Sequence, residues 1–142
     1  MNDIIAFLTQ HWMLTAGFAS LVVALLINEM RHFSACQAYT PQEVVNQMNH
    51  HKAKLIDCRE PAAFQAGHIL GAVNIPKLKF QDSQGMLSVT QFQHKAVIVI
   101  CHQGTDSPKI ATKLHKAGFK EVAILEGGLQ AWKKEGLPIE RS

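Results

Sequence analysis

AVIVICHQGTDSP, running from Ala96 to Pro108, is the stretch on which the fold turns. Its first five residues are apolar on both faces and four of them are β-branched, which suits the centre of a parallel sheet rather than a half-exposed strand. A strand of that kind needs helices over both faces. Cys101 follows directly, Gly104 permits a tight turn, and Ser107 with Pro108 opens a helix. Ile110, Leu114 and Ala117 then fall on one face, and Gly118 ends the helix. In open parallel sheets, ligands gather beyond the carboxyl ends of the strands. The N–H groups of a strand-to-helix loop there can converge on an anion, and the positive helix end favours thiolate over thiol. Cys101 is therefore the residue expected to carry chemistry.

The pattern repeats on either side. Thr40, Pro41 and Glu43 predict a capped helix running to about Met48. Leu55–Asp57 reads as a short buried strand, Pro61–Gln65 as a helical turn and Val73–Pro76 as a brief extended piece. Residues 77–93, with Gly85 and several Ser and Gln, read mostly as connection. Val122–Leu125 is a strand, broken by Gly127 and Gly128, and Leu129–Lys134 is a short helix. Alternating short strands and helices predict a small α/β domain with a largely parallel sheet. Residues just past the other strand ends include Asp57, Cys58 and Arg59.

At the amino end, Trp12–Ile27 contains no ionisable side chain. Sixteen helical residues rise about 24 Å against a hydrocarbon core of ~30 Å, so a spanning helix recruits Ile4–Leu8 or the stretch to Met30. The expected organisation is an anchor over 1–30, a linker over 31–38 and a folded domain over 39–141. A cleaved signal peptide would want a basic amino end, and Met1–His11 has neither Lys nor Arg. Phe33–Cys36 (FSAC) resembles a lipoprotein cleavage box, but Glu29 and Arg31 separate it from the apolar run. Because Arg31, Lys52 and Lys54 all follow the apolar run, the positive-inside rule places the domain on the cytoplasmic side of an inner membrane.

Composition narrows the chemistry. The chain has 142 residues, 18% of them charged, and a net charge of +3 from scattered lysines, which offers no basic stripe for nucleic acid. Cys36, Cys58 and Cys101 form no CxxC pair and no zinc spacing, and an odd number of free thiols fits a reducing compartment. No metal or cofactor is expected. His50 and His51 beside Lys52 read as a solvated turn.

Three signatures, in order, carry a family resemblance: LIDCREPAAFQAGHILGAVNIP (Leu55–Pro76), VIVICHQGTDS (Val97–Ser107) and AGFKEVAILEGGLQAWKKEGLPIE (Ala117–Glu140). From Tyr39 to Arg141 the chain resembles a single rhodanese-homology domain. The resemblance implies an open five-stranded parallel sheet flanked by helices, and a loop cysteine that accepts sulfane sulfur as a persulfide and passes it to a nucleophile. By that match Cys101 is the nucleophile. The backbone N–H groups of His102, Gln103, Gly104, Thr105, Asp106 and Ser107 would cradle the terminal sulfur. Asp57, Arg59 and His68 match the first signature in supporting roles, with Asp57 and Arg59 expected to pair. Gly127, Gly128 and Trp132 match the last one and read as turn and packing. The partners implied are a sulfur donor and a thiol acceptor, either of which could be a protein, beside a membrane partner.

One position departs from the family. Active members commonly carry Arg in the Cys loop, where a guanidinium can hold an anionic donor. Here Asp106 stands at the helix start, where it reads as a cap; it would raise the Cys101 pKa and repel a dianion, while the loop amides and helix end lower that pKa. The missing Arg also argues against phosphoryl transfer, which needs that electrostatic contact. Two main readings remain: a sulfurtransferase working through Cys101, and a rhodanese-like binding or regulatory module that turns over weakly. A thiol redox pair of Cys58 with Cys101 is a third.

Overall fold

Val97–Ile100 (β4) is buried at all four positions and lies at the centre of a five-stranded sheet. The computed structural model describes the backbone of residues 1–34 and 36–142 and the side chains of residues 1–28 and 36–142. The other strands are β1 (Gln37–Tyr39), β2 (Lys54–Asp57), β3 (Val73–Asn74) and β5 (Val122–Leu125). They run in the order β1-β5-β4-β2-β3, and every pair is parallel.

Parallel neighbours need crossovers that cover the sheet. These are α3 (Pro41–His50), α4 (Pro61–Ala66), a 3₁₀ helix (Lys77–Gln81) with α5 (Ser83–Thr90), α6 (Ser107–Lys116) and α7 (Gly128–Lys134). The alternation of β4 sorts its side chains into two cores. Val97 and Val99 pack with Ile56 of β2, Ile110 and Leu114 of α6, and Phe80 and Val89. Ile98 and Ile100 pack on the other face with Leu55, Val44 of α3, and Leu129 and Trp132 of α7. Cys58 and Cys101 both belong to the first of these cores.

The capping box at α3 is present as expected. Glu43 N–H donates to Thr40 Oγ1 at 3.4 Å, and Thr40 N–H donates to Glu43 Oε2 at 2.8 Å. α3 runs two residues past Met48, to His50.

Residues 77–93 are not mainly connection, since they hold the 3₁₀ helix and α5. Gly85 suggested a break, yet it sits buried inside α5, where a Cβ would overlap the carbonyl oxygen of Lys79. Its small size lets α5 close against the preceding turn. Phe80 and Val89 then reach the core, an anchorage supplied by tertiary contact rather than by local pattern. The stretch 31–38, expected to link, is helical to Ser34 and becomes strand at Gln37, while Ala35 lies outside the described residues. β1 is a three-residue edge strand with little burial pattern, and pairing with β5 is what orders it.

The chain divides into two compact units, Met1–Ala35 and Cys36–Ser142. In the first, α1 (Asn2–Gln10) precedes α2 (Trp12–Ser34). Among the described residues no single helix is long and apolar enough to cross a membrane. Asn2–Gln10 and Trp12–Asn28 meet that requirement together, with a 90° bend between them.

Candidate active site

Because all five strands are parallel, their carboxyl ends lie along one edge of the sheet. β2 delivers Cys58 and Arg59 there, β4 delivers Cys101 and its loop, and Lys77 follows β3. These residues, together with Glu60, Ala63, His102 and Asp106, line a cleft of about 230 Å³. Lys77 is fixed by its own backbone, whose N–H donates to the carbonyl of Cys58 at 3.0 Å.

Cys101 is 3% exposed and its sulfur accepts the Gly104 N–H at 2.7 Å. The Cys58 thiol donates towards the same sulfur and is the main reason the Cys101 thiol is lowered to about 5. Burial opposes this. The Ser107 hydroxyl and the backbone N–H groups of Ser107 and Asp106 reinforce the lowering. Ser107 is fully buried and its Oγ has no hydrogen-bond partner. Cys58 is pushed the other way, upward, by donating to Cys101 and by burial. At neutral pH one of the two sulfurs is therefore a thiolate and the other a thiol.

The loop holds this shape because its outer side is tied down. Leu129 N–H donates to the carbonyl of Cys101 at 2.9 Å, and Gln130 N–H donates to that of His102 at 3.1 Å. With those carbonyls drawn towards α7, the loop N–H groups are left for the sulfur. Gly104 reaches φ +87° in the turn. Gly128 lies so close that a Cβ would overlap the Cys101 carbonyl and come within 2.8 Å of the Gly104 nitrogen. Gly128 thus makes room for the Cys loop, while Gly127, at φ +71°, makes the turn into α7.

A family model for the rhodanese-like domain matches residues 40–135. The chain belongs to the rhodanese-like domain family. It is 29% identical over 142 residues to the uncharacterized protein YibN of Escherichia coli strain K12, covering 99% of each chain. It is 32% identical over 118 residues to the thiosulfate sulfurtransferase GlpE of Vibrio cholerae serotype O1, covering 80% of this chain and 100% of that one. The crystal structure of a rhodanese-related protein from Thermoplasma volcanium superposes with a TM-score of 0.64 at 24% identity, over 75% of this chain and 99% of the other. That likeness shows the fold.

Of the other expected site residues, Arg59, His102 and Asp106 line the cleft beside the rhodanese-like loop. His102 is exposed and borders the cleft, whereas Gln103 and Thr105 are exposed and outside its lining. Asp57 and Arg59 pair as expected. Asp57 is fully buried, Arg59 Nη2 lies 2.8 Å from its Oδ2, and the guanidinium also donates to the Gly67 carbonyl at 2.7 Å. His68 lies outside the cleft lining: its ring stacks on Phe64 and its Nδ1 is 2.8 Å from the Phe64 carbonyl.

Asp106 behaves differently from the expectation. It occupies the N-cap position of α6 without a capping bond from its side chain. Its carboxylate instead accepts from Lys77 Nζ at 3.3 Å, and it is through its backbone N–H that Asp106 acts on Cys101, in the lowering direction. Sequence reasoning missed Lys77 and Glu60. The signal was present for Lys77, since it follows a strand as Cys101 does, but β3 is only two residues long.

Proposed function

We propose that this chain is a membrane-anchored sulfurtransferase in which Cys101 alternates between thiolate and persulfide. The observation that carries this reading is the Cys101 sulfur, which accepts the Gly104 N–H at 2.7 Å and lines an open cleft, with the Cys58 thiol foremost in lowering its pKa. The thiolate attacks the sulfane sulfur of a donor, the bond from that sulfur to the rest of the donor breaks, and the leaving group takes the electron pair. The charge then rests on the terminal sulfur, within reach of the loop N–H groups. An acceptor thiolate attacks that terminal sulfur, the bond to Cys101 Sγ breaks, and the Cys101 thiolate returns. The sulfurtransferase name of the Vibrio relative supports the assignment.

Arg59 and Lys77 bring positive charge to the cleft, but Arg59 is engaged by Asp57 and Lys77 by Asp106. Little free cation is left for a dianion such as thiosulfate, so a neutral or protein-bound donor and a protein thiol acceptor fit the cleft better. The same pairing favours the second reading, a binding module with weak turnover. Mass spectrometry after exposure to thiosulfate or polysulfide separates the two. One sulfur taken from the donor is expected, found either as a persulfide on Cys101 or as released sulfide, and neither in Cys101→Ser; no sulfur taken from any donor would leave only the module.

Anchoring is supported by the first unit, where Ile4, Phe7, Trp12, Leu14, Phe18 and Leu21 among others are exposed, a run of apolar surface that water disfavours. Similarity to YibN extends through this segment. The lysines that follow it favour a cytoplasmic domain.

A further inference from the structure

β2 and β4 are paired in parallel register, with Asp57 opposite Ile100, so the next residues, Cys58 and Cys101, are also opposite one another. Cys58 N–H donates to the Ile100 carbonyl at 2.9 Å, which continues the ladder to this point. Neighbouring strands are about 4.8 Å apart, within the Cα separations that disulfides accept. Cys58 and Cys101 also project to the same face of the sheet, into one core cluster, and line the same cleft. Both thiols are free.

Sulfur transfer to an acceptor makes and breaks bonds at Cys101 alone, so the free, buried thiol of Cys58 beside it is available for a second step. We propose that Cys58 is a resolving thiol that discharges the Cys101 persulfide as hydrogen sulfide, giving the protein a reductive, sulfide-releasing activity beside transfer. This rests on the persulfide reading above. The Cys58 sulfur attacks Cys101 Sγ, the bond from Sγ to the terminal sulfur breaks, and that sulfur leaves with the electron pair and the Cys58 proton as HS⁻. A Cys58–Cys101 disulfide remains. The persulfide is reduced and the two cysteines are oxidised, so this step needs no outside reagent; a dithiol reductant then restores both thiols. Register directs the attack to the inner sulfur, because Cys58 lies beside Sγ while the terminal sulfur extends towards the loop amides. The upward push on the Cys58 pKa keeps it protonated until Cys101 is loaded, when the charge that held its proton moves one atom outward.

The test uses the full-length reduced protein and excess thiosulfate labelled with ³⁵S at the sulfane position, in a single turnover without added thiol. Wild type should release one labelled sulfide per chain, become lighter by two hydrogen atoms, and yield a cross-linked peptide pair containing Cys58 and Cys101. Cys58→Ala and Cys58→Ser, checked for native circular dichroism, should instead retain one labelled sulfur on Cys101 and release no sulfide. A stable persulfide on wild-type Cys101, or label on Cys58, overturns the resolving role and leaves the sulfurtransferase reading intact. No sulfide released by wild type and no added sulfur on Cys101 in either variant, with polysulfide as well as with thiosulfate, overturns both.

Discussion

The Cys58 thiol beside Cys101 sets when the site is reactive. Above about pH 5 the Cys101 thiolate is already formed, so its alkylation rate should be nearly flat through neutrality. In Cys58→Ala the largest lowering influence is gone, and the rate should climb with pH towards the ordinary thiol value of ~8.5. Iodoacetamide labelling across pH measures this, and coincident wild-type and variant profiles would count against it. Asp106→Arg removes a carboxylate from the cleft, frees Lys77 and adds a guanidinium; thiosulfate turnover should rise, and an unchanged rate in a folded variant would remove the electrostatic account. Asp57→Ala leaves the Arg59 guanidinium, with a side chain 7% exposed, without its carboxylate. A loss of about 3–5 kcal/mol is expected in denaturant unfolding. Cys101, its loop and the Asp57–Arg59 pair were legible in the sequence because each sits beside a strand or in a spaced signature. The direction in which Asp106 acts was not, because it comes from the backbone N–H in the folded loop, while the carboxylate meets Lys77, 29 residues away.

Among the elements, β4, β5 and α6 follow from hydrophobic patterning alone, since their apolar runs face buried layers. The 3₁₀ helix and α5 do not. Their polar, glycine-containing sequence is held by Phe80 and Val89 entering the core and by the close approach that Gly85 allows. Phe80→Ala should therefore cost about 3–5 kcal/mol, the range for deleting a buried aromatic ring, and should be read in thermal and denaturant unfolding. At the other end of the chain, Gly128→Ala sets a Cβ against the Cys101 carbonyl at a positive φ. It should destabilise by roughly 2 kcal/mol or more and slow Cys101 labelling more than a core mutation of equal cost. Equal slowing in both would mean that the glycine serves stability alone.

For the whole molecule, the sheet order could not be read from the sequence, because β1 and β3 are three and two residues long and acquire their place by pairing. The N-terminal unit was visible as an apolar run, but not its break at His11 between α1 and α2. The full-length chain should sediment with membranes and a chain starting at Gln37 should not; a reporter fused after Ser142 should be active only on the cytoplasmic side. The two hydrogen bonds from Leu129 and Gln130 to the Cys loop carry a consequence for biosynthesis. The loop is made well before the residues that shape it, so on the ribosome Cys101 is an ordinary thiol until the chain has grown past Gln130 and folded. A chain ended before Leu129 lacks both bonds, and its Cys101 should react with iodoacetamide at the rate of an ordinary thiol.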